Sequence, residues 1–188
     1  MNNERTPDDG KLYERFLAGD TTSYDELMIR YGDRLTFYLY GYLHDWQDAE
    51  DQMIEAFARI MVKKYKIGDG NFKAYLYKTG RNLAYRFNSK KHRVMQFSLE
   101  EYDSDIEGSG LVEDTFIGEE KKAALHVCLK RIEPQLSEVL WLVYFEGLSY
   151  KEAAAVMKVN TKKIDHMLTK GKKKMREELG KEGITDAF

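Results

Sequence analysis

The chain has 188 residues with 43% hydrophobic and 33% charged side chains, a length for one large domain or two small ones. No apolar run approaches the roughly 20 residues of a membrane span, and the polar start MNNERTPDDG has no signal-peptide core; membrane insertion is not expected. A single cysteine, Cys128, excludes an internal disulfide and fits a cytoplasmic protein, while the net charge of −2 argues against a freestanding DNA binder.

In chain order, a short helix is expected around Lys11–Ala18, ended by Gly19. Tyr24, Leu27, Met28, Tyr31, Leu35, Tyr38, Leu39 and Tyr42 then fall on one face of a long helix, with Ser23 and Glu26 spaced as a capping box. A third helix opens at Asp45 and turns Ala49, Met53, Phe57, Ile60 and Met61 inward. After Ile67-Gly68-Asp69-Gly70, Asn71 is placed to cap a fourth, with Phe72, Leu76, Leu83 and Phe87 as its stripe and Lys90-Lys91-His92-Arg93 at its end. Residues 98–120 carry nine acidic and no basic side chains, and 94–118 read as a linker.

Helical pattern returns at Glu119 with Leu125, Cys128, Leu129 and Ile132. Pro134 suits a first turn, before a stripe of Leu136, Val139, Leu140 and Val143 closed by Gly147. Ser149 and Glu152 form a second capping box for a short helix Tyr150–Met157, followed by a turn at Lys158-Val159 and a long helix from Asn160 to a Gly180 stop. The expected fold is all-α: a helical domain over 1–93, an acidic flexible linker over 94–118, and a domain over 119–188 containing a helix-turn-helix.

The function follows from charge and ring placement. Residues 44–57 hold five acids and no Lys or Arg, a patch that repels DNA and suits a basic protein. Aromatic and basic residues interleave from Lys63 to Arg93, which provides stacking platforms beside cations for unpaired bases. Phe72, Leu76, Leu83 and Phe87 read as core; Lys66, Asn71, Tyr75 and Asn82 read as DNA contacts. The last helix presents its amino end to base edges, with Asn160, Thr161, Lys162, Lys163 and His166, and carries Lys170, Lys172 and Lys173 toward phosphates. Asp103-Ser104-Asp105-Ile106-Glu107-Gly108 with Asp114 approximates a calcium loop, but the closing position is Asp and neither flank is a paired helix. No metal site, cofactor or nucleophile–base arrangement is read, so no enzyme is expected. His126 and Cys128 lie two apart and face different ways on a helix.

Three segments resemble the extracytoplasmic-function (ECF) group of RNA polymerase sigma factors. They are Asp48-Ala49-Glu50-Asp51 with Glu55-Ala56-Phe57; Phe72-Lys73-Ala74-Tyr75-Leu76-Tyr77 with Arg81-Asn82-Leu83-Ala84; and Pro134 through Ala154. The resemblance implies that Asp48, Asp51, Gln52 and Glu55 grip core RNA polymerase. It implies that Lys66, Asn71, Tyr75, Arg81 and Asn82 meet the −10 element of promoter DNA, and that the last helix meets the −35 element. It further implies an anti-sigma factor as partner. The family's turn often has Gly where this chain has Lys158, and Asp165 and Met167 replace basic residues expected in the recognition helix. A linker of 25 residues reaches roughly 85 Å when extended, more than the ~70 Å of two duplex turns. The alternatives are a helix-turn-helix regulator that binds DNA unaided and a calcium-responsive adaptor.

Overall fold

The computed structural model of the protein describes residues 8–67, 71–91, 97 and 127–181, and every element among them is helical. The first unit holds α1 (Asp9–Leu17), α2 (Thr21–Leu43), α3 (Trp46–Lys63) and α4 (Phe72–Lys90). Gly19, at φ 109°, takes the chain out of α1 in a conformation that side chains resist. The N-cap of α2 is Asp20, not the expected Ser23–Glu26 box. The Asp20 carboxylate accepts from the Thr22 amide (3.1 Å) and from the Thr22 and Ser23 hydroxyls. Those bonds hold it well below the usual carboxylate range. With the cap supplied upstream, Ser23 lies inside the helix and Glu26 pairs with Arg30. Asp45 caps α3 as expected, accepting from the Asp48 amide at 2.8 Å.

Helix α2 is the axis of this unit and packs on α1, α3 and α4. Rings fill the core: Phe16 and Tyr24 centroids lie 4.4 Å apart, and the Tyr24 hydroxyl donates to the Phe57 carbonyl at 2.6 Å. Four expected core positions differ, Met28 and Met53 among them in being only half-buried. Met61 is 44% exposed, because it sits one residue beyond the Ala49–Ala56–Ile60 stripe and so rotates away from it. Phe87 is only half-buried. Asn71 stands at the start of α4 without a side-chain capping bond. Phe97, inside the segment read as linker, is buried against Tyr38 and Tyr42. It lies over Gly41, where any Cβ would overlap its ring. The calcium-like loop of 103–114 and His126 lie outside the described residues.

The described residues of the second unit start with helical 127–130, the expected helix start at Glu119 lying outside them, and Cys128, Leu129 and Ile132 are buried. Helix α5 (Pro134–Leu140) has Pro134 at its first position, where the missing N–H has no acceptor to lose. It runs into a π-helical turn, Trp141–Phe145, closed by a hydrogen bond from the Glu146 main-chain N–H to the Trp141 carbonyl and by Gly147 at φ 66°. Helix α6 (Tyr150–Met157) has the full capping box: the Ser149 amide donates to Glu152 at 2.8 Å and the Glu152 amide donates to Ser149 Oγ at 3.3 Å. Lys158 takes the left-handed turn at φ 58°, a position that costs a non-glycine residue roughly 1–2 kcal/mol. Helix α7 (Thr161–Lys181) starts under an Asn160 side chain that accepts from the Lys163 amide at 2.8 Å. Gly180 does not stop it, and the helix continues to Lys181. Ile164, Leu168, Met175 and Leu179 face inward.

The two units are packed together. Helix α4 lies on α6, and Phe37 of α2 stacks on Trp141 at 4.8 Å, which in turn stacks on Phe145 at 4.7 Å.

Candidate protein and nucleic-acid interfaces

Four acids and amides on α3 were expected to meet a basic protein. Asp51 is exposed, and Asp48, Gln52 and Glu55 are partly so. Asp48 pairs with Lys91 at 2.9 Å and Glu55 with Arg59 at 2.5 Å. Both are exposed pairs of the kind worth little net stability and easily exchanged for another partner. Beside them stand Ile54 at 53% and Val62 at 79% exposure, an apolar flank that the sequence pattern did not single out.

The residues expected at the −10 element divide. Lys66, Asn71 and Tyr75 line one side of a cleft of about 460 Å³ whose other side is Ser149, Lys151, Glu152 and Ala155 at the start of α6. Tyr75 meets Tyr65 edge-on at 6.2 Å, and the Tyr13 hydroxyl donates to the Tyr65 carbonyl, which fixes that ring pair. Asn82 is half-buried. Arg81 is not on this surface: it is 8% exposed, and its guanidinium donates to the Glu138 carboxylate at 2.7 and 3.4 Å. Its Nε also donates to the Tyr42 hydroxyl at 3.0 Å, and the group sits over the Tyr85 ring at 4.6 Å. Tyr38 donates to the same carboxylate at 2.8 Å. Burial pushes the Tyr38 and Tyr42 hydroxyls far up, with the Glu138 charge adding to it, so both stay protonated donors.

A second buried carboxylate lies one π-turn further on. Glu146 pairs with Arg34 at 3.2 Å, Lys73 donates to its main-chain carbonyl, and Arg34 also donates to the Phe145 carbonyl at 2.6 Å. Burial raises the Glu146 carboxyl above its ordinary value and lowers the Lys73 ammonium below its own. Residues Glu138 and Glu146 were not read as site residues. The signal available was an acid set inside the apolar run from Leu136 to Leu148.

On α7 the structure brings Lys163, His166 and Lys170 to one wall of a second cleft, about 840 Å³, opposite Tyr42, Arg81, Tyr85 and Glu138. Asn160, Thr161, Lys162, Lys163 and His166 are all exposed, while Ile164 and Leu168 are buried. This reproduces the expected division of the helix into an outer polar face and an inner apolar one. Lys170 pairs with Glu133 at 3.1 Å, Lys172 lies over the Tyr144 ring at 5.2 Å, and Lys173 is exposed. Among the described residues no group of three or more His, Cys, Asp or Glu side chains could hold a metal, and no helix is long and apolar enough to cross a membrane.

Comparison with known proteins shows the family. The Sigma-70 region 2 profile matches residues 27–94 and the Sigma-70 region 4 profile matches residues 122–175. The chain is 30% identical over 168 residues to the RNA polymerase sigma-H factor of Pseudomonas aeruginosa, covering 79% of this chain and 82% of that one. It is 31% identical to the ECF RNA polymerase sigma factor BldN of Streptomyces coelicolor over 80% of its own length, spanning 58% of that longer protein. The fold is that of CnrH, solved in complex with the cytosolic domain of CnrY, with a TM-score of 0.59 at 20% identity over 93% of this chain and 98% of that one. The chain belongs to the RNA polymerase sigma-factor family, as an alternative sigma factor of the ECF group that directs promoter recognition and transcription initiation with core polymerase.

Proposed function

We propose that the three surfaces divide the work as follows. Asp48, Asp51, Gln52 and Glu55 on α3 dock core polymerase, with Ile54 and Val62 as an apolar margin. Lys66, Asn71, Tyr75, Arg81 and Asn82 engage the −10 element, where stacked rings beside cations suit unpaired bases. The amino end of α7 reads the −35 element through Asn160, Thr161, Lys162, Lys163 and His166, and Lys170, Lys172 and Lys173 hold phosphates. The observation that carries this reading is the helix-turn-helix geometry. A capped α6, the left-handed Lys158 and an Asn160-capped α7 leave Lys163 and His166 exposed at the helix start. The protein works in the cytoplasm beside the polymerase, leaves catalysis to it, and takes an anti-sigma factor as a further partner. The CnrH likeness, a fold seen with a bound protein domain, supports that last point.

Run-off transcription with purified core polymerase tests the assignment. Templates with a replaced −10 or −35 hexamer should each lose transcript. Lys163→Ala should change the preference only in the −35 hexamer, and Asn71→Ala only in the −10 hexamer. A shift in the opposite element for either variant overturns the assignment.

A further inference from the structure

The surfaces assigned above draw on α3, α4 and α7, and α1 has no part in them. Yet α1 reaches the chain between α3 and α4, where Lys66 and Asn71 stand exposed. Both ends of α1 are fixed to the body of the first unit. At its start the Asp9 carboxylate pairs with Arg30 at 2.6 Å and accepts from the Tyr31 hydroxyl. At its end Phe16 is buried with its ring 4.4 Å from that of Tyr24.

Tyr13, between them, touches the connection on both sides. Its ring lies 5.2 Å from that of Phe72, the first residue of α4. Its hydroxyl donates to the Tyr65 carbonyl at 2.9 Å, just past the end of α3. Lys64, the left-handed C-cap of α3 at φ 42°, sets its ammonium over the Phe16 ring at 5.3 Å. Beyond that cap the helix offers main-chain carbonyls no amide, and the Tyr13 hydroxyl supplies a donor from another element. Burial, with Tyr75 adding to it, raises the Tyr13 hydroxyl above its ordinary value and keeps it protonated. A bond to a main-chain oxygen fixes the path of the chain, not one side chain. Here it fixes residue 65, whose ring meets Tyr75 edge-on at 6.2 Å and whose neighbour in sequence is Lys66. Tyr75, Lys66 and Asn71 line the same cleft.

We propose, on the assignment of Lys66, Asn71 and Tyr75 to the −10 element, that Tyr13 is a positioning residue for −10 recognition. Its hydroxyl, held from α1, sets the Tyr65 main chain, and with it the Lys66 cation and the Tyr65–Tyr75 ring pair that meet unpaired bases. Tyr13 is itself 2% exposed and acts only through these groups. Connections between helices open more readily than the helices they join. Recognition groups carried on them keep their geometry only when packing and hydrogen bonds lock the backbone beneath.

Tyr13→Phe in the full chain tests this, since it removes the hydroxyl and keeps the ring against Phe16 and Phe72. The variant is reconstituted with core polymerase and assayed by run-off transcription from mixed −10 and mixed −35 hexamers, beside a thermal melt. It should lose roughly 5–10-fold of its discrimination among −10 hexamers, the size that one hydrogen bond commands. Affinity for core polymerase and preference among −35 hexamers should stay parental, which a general loosening of the fold would not spare. Tyr13→Phe with Asn71→Ala should lose less than the product of the two single losses, because both act through one segment. Combined with Lys163→Ala, it should lose the full product. Parental −10 discrimination in Tyr13→Phe overturns the proposal, as does an equal loss at both elements or full independence from Asn71→Ala. Parental −10 preference in Asn71→Ala alone is a different failure, that of the −10 assignment, and ends the proposal with it.

Discussion

The two long faces of the first unit are in opposite states. The outer face of α3 carries Asp51, Ile54 and Val62 in the open, with its ion pairs to Arg59 and Lys91 partly solvated and within the first unit. The facing side of α4 is covered by α6 and tied through Arg81 and Lys73 to buried glutamate positions of the second unit. A surface that is already bare can dock as it stands, and a covered one has to be uncovered first. If the proposed assignment holds, the comparison orders the events: docking through α3 needs no rearrangement of the two units, and contact through the side of α4 packed on α6 does.

The largest way to break the covered side is at Trp141. Its ring is 1% exposed and stacked between Phe37 of the first unit and Phe145 of its own. Trp141→Ala should lower unfolding stability by about 3–5 kcal/mol, and the urea transition should split as the two units lose their shared contact. A loss below ~1 kcal/mol with a single transition would show that the units are not coupled through this ring.

Charge reversal breaks the open side. Asp48→Lys with Asp51→Lys should reduce affinity for core polymerase by roughly 100-fold, since like charges then face the basic partner. Folding should survive, because Asp51 is exposed and Asp48 contributes at most about 1 kcal/mol at the α3 amino end. Co-purification with core enzyme, beside a thermal melt, measures both. Parental retention by a folded variant would remove α3 as the docking face.

This contrast was only half legible in the sequence. The bounds of α6, Tyr150–Met157, were readable because their determinants are local: a Ser149–Glu152 box at one end and a tight turn at the other. The same holds for Asp45 before α3 and for the inward Ile164 and Leu168 of α7. Asp20 was missed because Ser23 and Glu26 also satisfy the capping spacing, and only geometry shows which residue lies outside the helix. The π-helical turn at Trp141 inserts a residue into a periodic run, which leaves the apolar pattern nearly unchanged. The pairing of Arg81 with Glu138 spans 57 positions and two units, so no periodicity reports it. The segment holding Arg81 looks the same whether the guanidinium meets a phosphate or a carboxylate. Family pattern thus led to α4 and α7 as the proposed promoter surfaces but is silent on what packs against them.

A finer division should appear along α7, where Lys163 and His166 face the inter-unit cleft and Lys173 does not. Lys163→Ala or His166→Ala should remove about 1–3 kcal/mol of discrimination in the −35 region. Lys173→Ala should weaken all sequences alike and reduce the salt slope of holoenzyme binding by about one unit. Lys173 is the cleaner probe, because Lys172 also packs on Tyr144. Affinity on a −35 library at several salt concentrations separates the two behaviours. A changed preference in the Lys173 variant with none in the Lys163 variant would reverse the register of the helix.

The smallest effect tests the covered side by pH. Burial raises the Glu146 carboxyl, against the opposing pull of Arg34, Tyr77, Lys73 and Trp141 around it. The packed protein therefore holds the Glu146 proton to higher pH than the unfolded chain, in which a glutamate titrates near about 4.3. By linkage, stability from this group is fully present below that unfolded value and is lost as pH rises through the raised folded value. Within that window the slope from one proton cannot exceed about 1.4 kcal/mol per pH unit. Lys73 acts in the alkaline range and with the opposite sign: its ammonium is lowered, so stability from it grows with pH between its folded and unfolded values. Denaturation midpoints from pH 4 to pH 8 for the parent and for Glu146→Gln isolate the first effect. The parent should carry an extra stabilising slope toward acid that the glutamine variant lacks. Parallel curves would mean that Glu146 meets water in the protein, and with it that the Arg34 side of the inter-unit contact is open.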